Sequence, residues 1–170
     1  MPPYVVFLIV VAVIVIAIIL YQKIRNKMAL KKIEETLNTV CDEVKVVEKN
    51  PAFDFECLKN NQKYLVKVVF FYCQDEININ SKNYWQANHG AVSSRKKGEK
   101  LPNVYDLVNF NLEANGYPLD TKKLYVIYPK ATTLMKVINE CEMVLIKPNV
   151  DCHGSKVTNF DDLVRDFDLF

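Results

Sequence analysis

The amino-acid sequence predicts an α/β protein of the α+β kind, in which an N-terminal transmembrane helix precedes one domain with a mixed five-stranded sheet flanked by helices. Three observations predict it. An uncharged apolar run occupies residues 4–20, three strand-like runs follow one another between 52 and 80, and helix-like and strand-like runs alternate from 104 onward. A strand meander followed by such alternation is typical of a mixed sheet packed against helices. The predicted order is α-β-β-β-α-β-α-β-α.

The first element is the uncharged stretch of residues 2–22, which we expect to cross a lipid bilayer as a helix. At a rise of about 1.5 Å per residue, this stretch spans the roughly 30 Å hydrocarbon core of a membrane. It starts without a basic residue, and no Ala-x-Ala site follows it, so the pattern indicates an uncleaved signal-anchor and not a cleaved signal peptide. Tyr4 and Tyr21 stand where interfacial aromatic residues are expected.

Charge predicts the orientation of this helix. All 22 basic and 20 acidic residues follow the apolar stretch, and the first of them, Lys23, Arg25 and Lys27, are basic. The positive-inside rule therefore predicts an outside N-terminus and a cytoplasmic C-terminal domain. The five cysteines are an odd number without paired spacing, which suits a reducing compartment. The basic segment 23–32 also suits contact with anionic lipid headgroups.

Three parts of the chain are predicted: a transmembrane anchor over 1–22, a basic juxtamembrane segment and amphipathic helix over 23–50, and a cytoplasmic α/β domain over 51–170. Apolar residues recur at three- and four-residue steps from 28 to 47, and Pro51 is expected to end that helix. Its apolar face is suited either to packing on the domain or to binding a partner. The net charge of +2 gives no support to nucleic-acid binding driven by overall charge.

The elements of the domain are predicted from residue type and periodicity. Runs rich in β-branched and aromatic residues indicate five strands, at 52–58, 64–73, 76–80, 122–129 and 142–148. Helical patterns indicate helices at 104–116, 132–140 and 159–167, with Gly116 as a left-handed C-terminal residue of the first. The strand–helix–strand unit over 122–148 predicts a right-handed crossover between parallel strands.

Charged residues in the first two strands suggest a possible site. Asp54 and Glu56 share one strand face, and Lys67 is the lone charge in an apolar strand. With the αβββαβ order over about residues 30–148, they resemble the PD-(D/E)XK, or restriction-endonuclease-like, superfamily. The resemblance implies acids that hold Mg²⁺ and a lysine that orients the attacking water. Leu65 stands where the second acid belongs, so the resemblance is to a degenerate member, and Asp54, Glu56 and Lys67 are candidates without an assigned catalytic role. The alternative is that they are ordinary surface charges.

The polar segment 81–103 is the predicted binding surface. A segment of this length without predicted elements is uncommon in a compact domain unless it has a function. Basic and aromatic residues suit phosphate, anionic lipid or an acidic protein surface. The candidate binding residues are Tyr84, Trp85, Arg95, Lys96, Lys97 and Lys100. For Trp85 the alternative is a buried core position, which is favoured because tryptophan is highly buried on average.

Function is predicted from the lack of recognisable catalytic patterns. With four glycines, no phosphate-binding glycine loop, no metal-ligand spacing and no catalytic triad in the sequence, we expect a non-enzymatic, single-pass membrane protein whose domain binds a partner. The partner is an unidentified protein or nucleic acid, besides the bilayer around residues 2–22. The alternative is a nuclease-like module that binds nucleic acid near the membrane or cleaves it with Mg²⁺. No metal or other cofactor is expected outside that alternative.

Overall fold

A single helix, α1, extends over Pro3–Val40. After Pro3, its sequence contains no glycine or proline that would interrupt it. The computed structural model describes residues 2–48, 50–71, 76–88, 99–101, 104–139 and 141–170. They form two compact units, Met1–Ile33 and Glu34–Phe170, and α1 contributes to both. The first unit is helical, and the second contains all the sheets.

The helix ends earlier than the sequence predicts. The Cys41 N–H donates to Leu37 O at 2.9 Å, and the next amide, of Asp42, donates to Leu58 O at 2.8 Å. Strand β1 then covers Glu43–Val46. The predicted continuation of the helix to residue 47 is therefore wrong, because the backbone here pairs with a neighbouring strand. Pro51 consequently ends no helix.

The first sheet has five strands in the order β1-β2-β3-β7-β10. β1, β2 and β3 form an antiparallel meander, whereas β3, β7 and β10 are parallel. This is the predicted kind of mixed sheet, although β1 and β10 come from segments that were not predicted to be strands. The strands after β1 are β2 Phe55–Lys59, β3 Gln62–Phe70, β7 Lys122–Tyr128 and β10 Lys156–Asn159.

A second sheet, which the sequence did not predict, has the order β6-β5-β4-β8-β9. β4 and β8 are parallel, and the other neighbours are antiparallel. Its strands are β4 Glu76–Ser81, β5 Tyr84–Asn88, β6 Glu99–Lys100, β8 Thr133–Asn139 and β9 Glu142–Leu145.

The predicted helix at 132–140 is wrong, since this segment is strand β8. Its threonine, valine and isoleucine residues favour strands, and β8 pairs with β4 on one side and with β9 on the other. The predicted crossover over 122–148 is wrong for the same reason: β7 and β8 lie in different sheets, and β8–β9 is an antiparallel hairpin.

The two sheets enclose one core, which helix α2, Tyr105–Asn109, also covers. The core includes Leu65, Val69, Ile77, Ile79, Trp85, Leu107, Tyr125, Ile127 and Leu134. The predicted helix at 104–116 is thus α2 followed by a 3₁₀ turn, Glu113–Asn115, and Gly116 is left-handed as predicted, with φ +74°. The predicted last helix is the short α3, Leu163–Asp166, between two 3₁₀ turns. The α+β class with a long apolar N-terminal helix is confirmed.

Candidate functional site

Two of the three candidate charges lie opposite each other at the start of β2. Asp54 immediately precedes β2, and Lys67 lies in β3. The Asp54 Oδ1 atom is 3.5 Å from Lys67 Nζ, and Oδ2 accepts a hydrogen bond from the Val68 N–H at 2.8 Å. Both side chains are mostly buried, with 12% of Lys67 and 23% of Asp54 exposed. The carboxylate therefore binds both a side chain and the backbone of β3.

Glu56 has a different partner. It lies two residues further along the chain, opposite the fully buried Leu65. Its carboxylate accepts a hydrogen bond from the Tyr117 hydroxyl, and the Tyr117 ring packs edge-on against Phe53 at 6.0 Å between centroids. Burial, together with the neighbouring Glu56, raises the pKa of Tyr117 to about 12. Glu56 is thus bound to the segment after α2 and not to the Asp54–Lys67 pair.

The residues around Asp54 do not fit Mg²⁺. This cation takes six oxygen ligands, usually from one or two carboxylates and several waters. Both Asp54 oxygens already accept hydrogen bonds, the Lys67 ammonium lies beside them, and the position of the second acid holds the apolar Leu65. Within the described ranges, no group of three or more His, Cys, Asp or Glu side chains is placed to hold a metal ion.

The neighbouring strand β7 places two polar side chains on the same face of the sheet as Lys67, and the sequence analysis predicted neither of them. Lys123 is paired with Leu65 and Tyr125 with Lys67 in the parallel register. The Lys123 ammonium donates to Val108 O at 3.0 Å and to the next turn at Phe110 O at 2.9 Å, and burial lowers its pKa. The signal was a lysine followed two residues later by a tyrosine, which places both side chains on one face of the strand.

Tyr125 fixes the other end of α2. Its hydroxyl donates to Val104 O and accepts from the Val108 N–H at 3.1 Å. Burial raises the pKa of Tyr125. Lys123 and Tyr125 therefore hold α2 on the sheet.

Comparisons with protein-family models, curated proteins and solved structures found no match.

The predicted binding segment divides between two faces of the second sheet. Trp85 is 1% exposed and packs against Tyr125 with 4.7 Å between ring centroids, so it is a core residue and is not available to a ligand. Tyr84 is 38% exposed, and the Lys100 ammonium lies 5.9 Å from the centre of its ring. Arg95, Lys96 and Lys97 lie outside the described residues.

A cleft of about 300 Å³ lies between β8, β9, β10 and α3. Within it, Asp166 is buried and accepts hydrogen bonds from Arg165 Nε at 2.8 Å and from the Thr158 hydroxyl at 3.3 Å. Arg165 also contacts Asp162 at 3.1 Å. The Thr158–Asp166 hydrogen bond joins α3 to β10, whereas Arg165 binds carboxylates of its own turn.

The hairpin β8–β9 exposes several apolar side chains of the second unit. Every residue of β9 is exposed, as is the end of β8. The exposed apolar residues are Ile138, Met143, Val144 and Leu145.

In the first unit, α1 is long and apolar enough to span a membrane. None of its most apolar 18-residue stretch is buried. Tyr4 and Tyr21 are exposed near the ends of the apolar run, and Lys23 and Lys27 are exposed just after it. Arg25, between these two lysines, is half-buried.

Proposed function

We propose that this chain is a single-pass, signal-anchored membrane protein whose α+β domain binds a partner at the cytoplasmic face of the membrane. The observation that carries the attachment is α1, an exposed apolar helix of sufficient length. The basic residues after the apolar run favour a cytoplasmic domain, with the N-terminus outside. The cysteines of the described ranges are free thiols, which suits a reducing compartment. Segment 23–32 would meet the anionic headgroups of that face.

Partner binding is supported by the exposed β8–β9 hairpin. Apolar side chains exposed together on one hairpin are suited to an interaction site. The test replaces Ile138 with a photo-crosslinking amino acid in the full chain, in native membranes. We expect a protein adduct from this position and none from the same replacement at Leu119, which is exposed on a turn. Absence of an adduct at Ile138 would contradict binding through the hairpin.

A second candidate is a nuclease-like module that binds nucleic acid without cleaving it. It is favoured by the opposed Asp54 and Lys67, and by the order of α1, β1, β2 and β3, which resembles the start of the PD-(D/E)XK plan. The exposed ring of Tyr84 is suited to stacking on a base, and the ammonium of Lys100 beside it is suited to binding a phosphate.

The two candidates are separated by incubating the full chain in detergent with labelled single-stranded DNA and RNA. The second candidate requires binding that weakens with salt and with joint neutralisation of Arg95, Lys96 and Lys97. Binding that is absent at low salt, or unchanged in that variant, would reject it. Mg²⁺-dependent cleavage that Asp54→Ala abolishes would instead make the protein an enzyme and overturn our first proposal.

A further inference from the structure

β9 presents an open apolar edge. It is the last of the described strands in the second sheet, and Met143 and Leu145 are 54% and 55% exposed. Natural proteins usually protect such edges with charges, proline or a bulge, since unpaired backbone groups recruit further strands. Residues 143–145 contain no charge and no proline, and the irregularity in the pairing of this hairpin lies in β8, between Val137 and Asn139. The edge is therefore suited to accept a strand.

The direction of each backbone N–H and C=O of β9 shows which of these groups can pair with a further strand. The Ile146 N–H donates to Leu134 O in β8 at 2.9 Å, and the register pairs Val144 with Lys136. Because backbone groups alternate in direction along an antiparallel strand, Val144 also points its N–H and C=O toward β8. Met143 and Leu145 point theirs toward the open edge.

We propose that β9 pairs antiparallel with β9 of a second copy of this chain, across a two-fold axis at Val144. In this register Met143 lies opposite Leu145 of the partner subunit and exchanges both backbone hydrogen bonds with it. The open groups of both residues are then satisfied in both copies. The two second sheets become one continuous sheet.

Charge and side-chain pattern favour a second copy as the occupant. Glu142 begins β9 and Lys147 follows it. With the two-fold axis at Val144, Glu142 lies opposite Ile146 of the partner subunit, and the strand end that carries Glu142 meets the strand end that carries Lys147. An in-register parallel pair would instead place Glu142 opposite Glu142 of the partner subunit, with like charges together. Met143 and Leu145 lie on one face of the sheet and would meet their equivalents there, extending the half-buried apolar surface of Met135.

This inference rests on the membrane attachment proposed above. Pairing of two short strands is a small contact, and interfaces below about 1,000 Å² are typically weak in solution. Confinement of both copies to one membrane raises their effective concentration. We therefore expect the pair in membranes and its loss on dilution in detergent.

The experiment uses the full chain in membrane vesicles, with Cys141→Ser in every variant to remove an exposed thiol. Val144→Cys places two thiols at the two-fold axis, in a pair without backbone hydrogen bonds, where strands approach most closely. We expect mild oxidation to give a disulfide-linked dimer. Leu119→Cys, at a site that is 77% exposed, is the matched control and should remain monomeric. Equal dimer from both would overturn the inference.

Backbone dependence is tested by adding Leu145→Pro or Leu145→Ala to Val144→Cys. Proline removes an N–H that is not bonded to β8, so β9 remains in place and the edge is blocked. The loss of one intermolecular hydrogen bond per copy should reduce the dimer about tenfold. Alanine keeps the N–H and should reduce it less. Unchanged circular dichroism of the proline variant verifies that it is folded.

Alkaline carbonate extraction separates the two proposals. If the Val144→Cys protein stays in the membrane but gives no dimer, the proposed pairing with a second copy is overturned, whereas the proposed membrane attachment is retained. Release of the protein by carbonate rejects the anchor, and the inference with it. Cross-linking of Val144→Cys to a different protein would identify another occupant and overturn the second copy.

Discussion

At the scale of single residues, Asp54 shows how one carboxylate can look catalytic and act structurally. It accepts the N–H of the buried Val68 and pairs with Lys67. A buried backbone donor without a partner is costly, whereas a partly exposed ion pair contributes little. The backbone bond is therefore the more valuable of the two contacts.

Replacement of Asp54 tests this ranking. Asp54→Ala leaves the Val68 N–H without an acceptor and should lower the free energy of unfolding by about 1–3 kcal/mol. Asp54→Asn retains an oxygen at that place and should cost less. Lys67→Met should cost less than about 1 kcal/mol. Urea titration of the full chain, followed by the fluorescence of Trp85, measures all three, and equal losses for the alanine and asparagine variants would contradict the ranking.

The raised pKa of Tyr117 predicts that the folded chain loses stability at alkaline pH. Its pKa is raised to about 12 in the folded chain, against about 10 for an unfolded tyrosine. Between about pH 10 and 12 the unfolded chain loses this proton while the folded chain keeps it, so the free energy of unfolding falls as the pH rises. Tyr117→Phe should make this fall shallower between pH 9 and 11. Urea midpoints at the two pH values measure the difference, and identical slopes would refute the role of Tyr117.

The site was partly predictable from the sequence. Asp54 and Lys67 are opposed because a tight turn between β2 and β3 fixes a short-range register, which strand patterns reveal. The Glu56–Tyr117 bond was not predictable, since β3, three strands of the second sheet and α2 lie between these residues in the chain. Sequence spacing carries no register information over that range.

At the scale of elements, α2 is too short to be stable by itself and depends on β7. Isolated helices shorter than about 12 residues are marginal in water. Tyr125 and Lys123 bind its backbone at Val104, Val108 and its C-terminal turn. The position of α2 is thus determined by two side chains of another element.

Tyr125→Phe should loosen α2 while leaving the sheet in place. The Val108 N–H and the Val104 carbonyl lose their partner, at a cost of about 1–3 kcal/mol. Hydrogen–deuterium exchange should show faster exchange at Val108 and unchanged exchange in β3. Tyr64→Phe is the matched control, because Tyr64 lies on the opposite face of β3 and packs against Phe167. Equal acceleration in both variants would contradict the anchoring role of Tyr125.

Strands were predicted correctly where the local residue pattern determines the secondary structure, and incorrectly where pairing with other strands determines it. β3 and β7 are rich in β-branched and aromatic residues and were predicted at nearly their observed bounds. In β8, Leu134, Val137 and Ile138 follow helical spacing, yet the segment pairs with β4 and β9 on its two sides. In β5, the inward Trp85 and Ala87 alternate over a run too short to separate from a loop.

At the scale of the whole molecule, the basic residues that follow the apolar run should set the orientation of α1 in the membrane. Lys23, Arg25 and Lys27 replaced together by glutamine should place the domain on the wrong side in a fraction of molecules. The exposed Cys141 thiol reports this: a membrane-impermeant maleimide added outside intact cells should label the variant and not the wild-type chain.

Two controls accompany this experiment. Cys141→Ser in the variant should remove the label, which verifies the reporter. A second variant that neutralises exposed lysines of the domain should keep the wild-type orientation; these are Lys45, Lys82 and Lys130. Labelling of the wild-type chain in intact cells would contradict the predicted topology.

The strand order of the first sheet also has a consequence for synthesis on the ribosome. β1 begins at Glu43 and β10 ends at Asn159, so this one sheet gathers strands from both ends of the domain. While α1 is already available to the membrane insertion machinery, β10, the second parallel partner of β7, has not yet been translated. We therefore expect the nascent domain to stay incompletely folded until β10 leaves the exit tunnel, and to depend on chaperones during that interval.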